Sequence, residues 1–151
     1  MENNKVEMFL MQHGDKFAAT DLAKVRTTLE QMPDGEFYRI SGSDWKNPTI
    51  TLILALLAGA YGIGAFYVKK IGFGIAQVAV FIVYLMLAFG VGILSGLTES
   101  GEDLLGFLIV VMVLFFGLMI AMIVMVIISA VKARSWTHEC NMQKFTQLTQ
   151  F

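Results

Sequence analysis

Three stretches of this chain carry no charged residue, and each is long enough to cross a lipid bilayer as a helix. They run over residues 49–68, 71–97 and 104–131. With about 1.5 Å of rise per residue, roughly twenty helical residues span the hydrocarbon core of about 30 Å. The apolar residues are continuous and do not alternate, which favours helices over the strands of a membrane barrel. The sequence therefore predicts an all-α, polytopic membrane helical bundle with about three transmembrane helices.

The three stretches differ in how strongly their composition favours insertion into a membrane. In residues 104–131, 19 of 28 positions are Leu, Ile, Val or Phe, and together these favour insertion by about 8 kcal/mol. The stretch 49–68 is the weakest because Gly59, Gly62 and Gly64 dilute it, and we expect it to end early or bend near Gly59. Between the second and third stretches, Thr98–Asp103 contains three acids and a glycine, which predicts a turn.

Segments of ordinary polarity flank the apolar region. The sequence predicts a small N-terminal helical head over residues 1–48, a transmembrane region over 49–131 and an amphipathic tail over 132–151. Within the head, apolar residues recur every three or four positions from Leu22 to Met32, as on one face of a helix. The head has too few apolar residues for a core of its own, so we expect it to pack against the membrane surface.

Aromatic and basic residues at the ends of the stretches predict contacts with the membrane interface. These residues are Trp45, Lys69, Lys70, Lys132, Arg134 and Trp136. Three spans would place the head and the acidic turn on one side, and the lysine pair and the tail on the other. More bases flank the second side, so the positive-inside rule predicts the N-terminus outside and the C-terminus inside.

The composition argues against several classes of function. The net charge of −1 offers no basic surface for nucleic acid. A single cysteine, Cys140, cannot form an intramolecular disulfide or a multi-cysteine metal site. His13 and His138 would lie on opposite sides of a three-span protein and could not share a site. No nucleophile-base pair or phosphate-binding loop is visible, so we expect neither an enzyme nor a bound cofactor.

The uncharged stretches contain residues that favour helix packing. Their methionines at positions 112, 119, 122 and 125 lie close to one helical face, but the cysteine or histidine that a copper(I) site usually adds is not near. Gly92 and Gly96 have the small-xxx-small spacing that permits self-association. Gln77 could either cross-link two helices or line a pathway. Because the spans contain no Asp, Glu, Lys, Arg or His, a transporter or pump is disfavoured.

The run Leu56–Gln77, "LLAGAYGIGAFYVKKIGFGIAQ", resembles the core signature of the TM2-domain family of small membrane proteins. The usual pattern of that family is L-x-G-x-x-G-I-D-R-F-Y-x-G-x-x-G-x-G-I-x-Q/K. The matching positions are Gly59, Gly62, Ile63, Phe66, Tyr67, Gly72, Gly74 and Ile75, with Gln77 at the end. The sequence "NPT" at residues 47–49, and Thr137, Glu139 and Asn141 after the last stretch, are also similar to the family's pattern.

The sequence departs from that family at three characteristic charges. Gly64 and Ala65 stand where the family usually has an aspartate-arginine pair, and Ser129 stands where it has an aspartate. The resemblance implies no reaction, because the family is linked to cell-surface signalling and phagocytosis in animals and is largely uncharacterised in bacteria.

Together these observations predict a non-enzymatic integral protein of a bacterial cytoplasmic membrane. Its partners would be the lipid bilayer and other membrane proteins or further copies of itself. The alternative is a channel-like or membrane-perturbing oligomer, which the glycine-rich helices and Gln77 would favour.

Overall fold

The computed structural model describes residues 2–97 and 102–150, and these residues form helices and loops without a strand. The helices are α1 (Glu2–His13), α2 (Leu22–Glu30), α3 (Asp34–Ser41), α4 (Pro48–Ala58), α5 (Ile63–Tyr67), α6 (Ile71–Leu97) and α7 (Glu102–Thr149). Short 3₁₀ turns cover Gly14–Lys16 and Gly59–Tyr61. The predicted all-α fold class is thus confirmed. Most of the predicted acidic turn, residues 98–101, lies outside the described residues.

Two of the described helices are long and apolar enough to cross a membrane. The segments that meet this criterion are Ile71–Ile93 and Gly106–Thr149. The weakest predicted span, residues 49–68, is not one helix. It is divided into α4, the turn Gly59–Tyr61 and α5. With 11 residues, α4 is about 16 Å long, roughly half of a hydrocarbon core. The described residues therefore do not form a third helix of spanning length.

The last helix continues through the predicted boundary at residue 131. α7 has 48 residues without a break and is about 72 Å long. Its charged residues Lys132 and Arg134 are exposed, whereas Ala133 and Thr137, one turn apart, are buried, and the hydroxyl of Thr137 contacts Thr51 of α4. The predicted tail is therefore the end of the same continuous helix that carries the third apolar stretch.

The head shares its core with the C-terminal part of α7. The buried core side chains are Val6, Phe9, Phe17, Val25, Leu29, Phe37, Ile40, Trp45 and Phe145. Phe145 belongs to α7, and its ring centroid lies 6.0 Å from that of Phe17. The prediction that the head and the tail lie on opposite sides of a membrane is therefore wrong, since a residue of the tail completes the core of the head.

Trp45 belongs to this core and not to a membrane interface. Its side chain is 4% exposed, and its ring centroid lies 5.1 Å from that of Phe17 and 6.3 Å from that of Phe9. An interfacial tryptophan needs its ring at the level of the lipid headgroups, so the predicted role of Trp45 is wrong. Trp136, in contrast, is only half-buried and packs edge-on against Phe73 of α6.

Residues 48–70, which we call the corner, fold back on themselves because glycine allows two backbone segments to touch. Gly62 has φ of 70°, and a Cβ there would lie 2.6 Å from the carbonyl oxygen of Gly74. A Cβ on Gly64 would lie 2.9 Å from the backbone nitrogen of Ala55. The start of α6 therefore packs on the turn, and α5 packs on α4, at distances that leave no room for a side chain.

The other glycines that were predicted to allow helix packing differ in how close their neighbours lie. Gly59 faces Val126 of α7, and Gly74 faces the ring of Phe66. A Cβ on Gly72 or Gly92 would meet nothing within 4 Å. Close packing at the corner thus involves Gly59, Gly62, Gly64 and Gly74, whereas the structure does not bring a neighbour to Gly72. The pairing of Gly92 with Gly96 in self-association stays a prediction.

We predict opposite effects for two alanine substitutions near the corner. Gly62→Ala should lower the free energy of unfolding by about 2–4 kcal/mol, because the added Cβ is strained at positive φ and collides with Gly74. Gly72→Ala should change it by less than about 1 kcal/mol, because the site is open and helical. Denaturant unfolding of the purified protein in detergent measures both values. Equal losses of stability would contradict the packing described for Gly62.

Candidate functional site

The most highly connected polar site is the junction, where Thr137, Glu139 and Asn141 of α7 each bind a different part of the chain. Asn141 is 1% exposed. Its Nδ2 donates to the carbonyl oxygens of Lys16 and Lys46, both at 2.8 Å. Its Oδ1 accepts from the backbone nitrogen of Lys46 at 2.9 Å. One side chain thus satisfies three backbone groups and ties two separate loops to α7.

Thr137 connects α7 to the beginning of α4. Its hydroxyl oxygen lies 2.6 Å from that of Thr51, so one of these hydroxyls donates to the other. Thr137 is 0% exposed and Thr51 is 1% exposed. The Asn47 side chain accepts from the backbone nitrogen of Thr49 at 2.8 Å and caps α4 just before this contact. The cap and the paired hydroxyls therefore position α4 against α7.

Glu139 connects α7 to the far end of the corner. Its carboxylate accepts from Nζ of Lys70 at 2.8 Å. The neighbouring residue Lys69 is exposed and has φ of 61°, which ends α5 and lets the chain turn into α6. Because this ion pair is partly exposed, we expect it to orient the corner more than to stabilise it. Of the two lysines predicted as interfacial anchors, Lys70 is thus also a partner of α7.

The Lys46 side chain adds an aromatic contact at the junction. Its Nζ lies 4.3 Å from the centroid of the Tyr67 ring, on which it forms a cation-π contact. The residues that flank the two ends of the corner, Lys46 and Lys70, therefore bind α7 at nearly the same level, Lys46 at Asn141 and Lys70 at Glu139. The remaining motif residues, Ile63, Phe66 and Ile75, are exposed.

Gln77 and Ser129 form the polar contact between the apolar parts of α6 and α7. Each residue is 2% exposed, and Nε2 of Gln77 donates to Oγ of Ser129 at 3.1 Å. The Oε1 atom of Gln77 is buried and has no hydrogen-bond partner among the described residues. Of the two roles considered for Gln77, the structure places its amide in a contact between two helices.

The two histidines lie close to the same short segment. Lys16 Nζ lies 3.2 Å from Nδ1 of His13, and Nε2 of His138 lies 3.3 Å from the carbonyl oxygen of Asp15. The predicted separation of the histidines on opposite sides is therefore wrong. Burial lowers the pKa of His13, and the nearby Lys16 lowers it further. Burial also lowers the pKa of His138, although its hydrogen bond to Asp15 opposes this shift.

Both shifts make the neutral imidazole the favoured form in the folded protein. Their contribution to stability is therefore complete above the ordinary histidine pKa of about 6.5 and is lost as the pH falls below it.

The described residues contain no group of three His, Cys, Asp or Glu side chains that could hold a metal ion. Cys140 is buried within α7.

A wide groove of about 860 Å³ runs along α7 beside the junction. Val131 and Arg134 line its lower end, and His138, Asp21 and Ala18 line the part nearer the head. A smaller cavity shares Arg134 and is otherwise lined by residues that include Asp15, Leu52 and Ala130. Arg134 was predicted as an interfacial anchor, but its position between two cavities follows only from the fold.

Sequence reasoning noted Thr137, Glu139 and Asn141 as a pattern but did not identify their partners. Polar residues at every second position of a helix point in different directions, so this spacing could have indicated that the three side chains contact different parts of the chain. Thr51 was missed, because a threonine inside an apolar stretch is ordinary.

Comparisons with protein-family models, curated proteins and solved structures find no match for this chain.

We predict that Asn141→Ala destabilises the junction strongly. The substitution leaves the carbonyl groups of Lys16 and Lys46 and the nitrogen of Lys46 without a partner, and it should cost about 3 kcal/mol or more. Gln143→Ala, at an exposed position of the same helix, is the matched control and should change the stability by less than about 0.5 kcal/mol. Denaturant unfolding followed by tryptophan fluorescence measures both. A loss below about 1 kcal/mol for Asn141→Ala, the contribution of a single neutral hydrogen bond, would contradict the role of Asn141.

Proposed function

We propose that this chain is a small, non-enzymatic integral membrane protein whose folded head acts by protein-protein interaction. The observation that carries the proposal is the core shared by the head and α7, which makes the head a rigid extension of an apolar helix. The side chains of α6 and α7 support membrane placement, since Phe89 and Val113 are 70% and 66% exposed. Apolar surface of this extent is expected to face lipid or another protein.

We further propose two membrane spans and a corner that enters the membrane and returns. Lys46, two residues before the corner, binds Asn141 of α7, and Lys70, at the end of the corner, binds Glu139, so the chain would enter and leave the corner on the same side. All 11 Lys and Arg residues then fall on the side of the head, and the segment between the two spans contains three acids and no base. The positive-inside rule therefore favours a cytoplasmic head and tail, and we propose this orientation in a bacterial cytoplasmic membrane.

Two methionines provide a surface for a protein partner. Met8 and Met11 are 62% and 88% exposed and lie three residues apart on α1, so they share one face. Methionine is flexible and polarisable and is often used on adaptable binding surfaces. The head would thus present an apolar patch to a partner at a fixed height above the membrane.

The contact between Gln77 and Ser129 argues against the alternative of a channel-like oligomer. Both side chains are buried in a helix-helix contact and bind each other, whereas a residue that lines a water-filled pathway is expected to face the cavity. Ion flux through liposomes that contain the purified protein at high density would test the alternative. A measurable conductance that Gln77→Leu abolishes would favour the channel.

The resemblance to the TM2-domain family belongs to the same proposal. It is supported by the close contacts of Gly62 with Gly74 and of Gly64 with Ala55, which give the glycine spacing of the motif a structural role. The second contact also supplies a reason for one departure from the pattern. An aspartate at position 64 would need space that Ala55 occupies.

We predict that cysteine labelling shows the head and the tail on the same side of the membrane. In a Cys140→Ser background, Ser100→Cys should react with an impermeant maleimide in intact cells. Thr20→Cys and Gln147→Cys, both at exposed positions, should react only after the membrane is permeabilised. Labelling of only one of these two positions in intact cells would contradict the two-span topology.

We also predict that a photo-crosslinking amino acid at Met11 forms an adduct with another protein in native membranes. The matched control is the same amino acid at Lys24, which is exposed on α2 and outside the methionine patch. An adduct should form at Met11 and should be absent or several-fold weaker at Lys24. Equal yields, or only self-adducts, would contradict a partner at this surface.

A further inference from the structure

The groove along α7 begins where the apolar part of the helix ends. Val131 is the last residue of the uncharged stretch, and Arg134, three residues later, lies about 4.5 Å further along the helix axis. A lipid headgroup layer is about 5–7 Å thick on each side of the hydrocarbon core. In the proposed membrane placement, Arg134 therefore lies at the depth of the lipid phosphates, and the following inference rests on that placement.

The groove brings together one cation and one anion that lack partners. Arg134 and Asp21 both line it. Among residues 2–97 and 102–150, the Arg134 side chain forms no ion pair or hydrogen bond, and the Asp21 carboxylate does not cap α2 or form an ion pair. Glu139, the other acid of the groove, is already paired with Lys70. The groove thus offers a free guanidinium and a free carboxylate.

The smaller cavity extends the site toward the apolar side. It shares Arg134 with the groove and is lined by Leu52 of α4, Ala130 of α7 and, from the head, Asp15. Leu52 is exposed, so part of this cavity offers an apolar wall beside the guanidinium. A ligand that fits both cavities has an apolar part, an anionic group beside it and a cationic group further toward the head.

We propose that this groove binds a phospholipid with a phosphoethanolamine headgroup. Arg134 would donate two parallel N–H bonds to the phosphate, for which the planar guanidinium is well shaped. The primary ammonium would donate to the Asp21 carboxylate, and the acyl chains would lie along Leu52 and Ala130. The lipid would fix the height of the head above the membrane, since it binds the head through Asp21 and α7 through Arg134.

Other headgroups match these charges less well. Phosphocholine has the same two charges, but its quaternary ammonium has no N–H to donate to a carboxylate. Phosphoglycerol has no cation for Asp21, and its neutral hydroxyls could donate only uncharged hydrogen bonds to that carboxylate. The two side chains therefore select for a zwitterion that carries a primary amine.

Native mass spectrometry of the delipidated full-length protein in detergent tests the inference. The protein is mixed with equal amounts of phosphatidylethanolamine, phosphatidylcholine and phosphatidylglycerol that have identical acyl chains. We expect phosphatidylethanolamine to be retained at least about tenfold over each of the others, which corresponds to one well-formed charged hydrogen bond. Arg134→Gln and Asp21→Asn should each abolish this preference.

Matched variants distinguish the site from general electrostatics. Lys132→Gln removes an exposed cation two residues away that lines neither cavity, and Asp44→Asn removes an exposed acid outside the groove. Both should keep the preference for phosphatidylethanolamine. Equal retention of the three lipids, stronger retention of phosphatidylglycerol, or the same loss in Lys132→Gln as in Arg134→Gln would each overturn the inference. Should Arg134→Gln fail to fold, Asp21→Asn alone decides the outcome.

This experiment is independent of the partner proposed for the head. If no adduct forms at Met11 but phosphatidylethanolamine is still preferred, the proposal of a protein partner is refuted and the lipid site is not. If the adduct forms at Met11 but the three lipids are retained equally, the lipid site is refuted and the proposal of a protein partner is not.

Discussion

The continuity of α7 is the constraint on which the rest of the structure depends. One helix of 48 residues packs against α6 at its apolar end and against the head at its polar end. Between these ends, Asn141 and Thr137 attach the loops and α4 through buried hydrogen bonds. A buried polar group is costly when its partners are missing, so these contacts specify one arrangement of the head on the helix.

The corner shows how a weak apolar stretch can be useful to a fold. Glycines lower helix propensity and allow backbone segments to approach. Gly62 and Gly64 use both properties, since the chain reverses at the first and packs closely on Ala55 at the second. Residues 49–68, which are numerous enough to span a bilayer as one helix, thus form a short helix followed by a turn and a second short helix that folds back on the first.

The head illustrates the limit of local reasoning. The periodicity of residues 22–32 was sufficient to predict α2, and Val25 and Leu29 lie in the core. The same reasoning assigned Trp45 to a membrane interface, because a tryptophan before an apolar stretch is a common interfacial pattern. Trp45 instead packs with Phe9, Phe17 and Phe145. The last of these is 100 positions away, and no local pattern contains that contact.

The sequence by itself determined the helical class, the two long apolar helices and the location of the glycine-rich corner. These properties follow from the hydrophobicity and conformational preference of neighbouring residues, which act over a few turns of chain. Only the tertiary structure decided that the head and the tail share a core and that Arg134 and Asp21 line one groove. Each of these depends on contacts between distant segments, and their energies come from burial and hydrogen bonding that no single segment can supply.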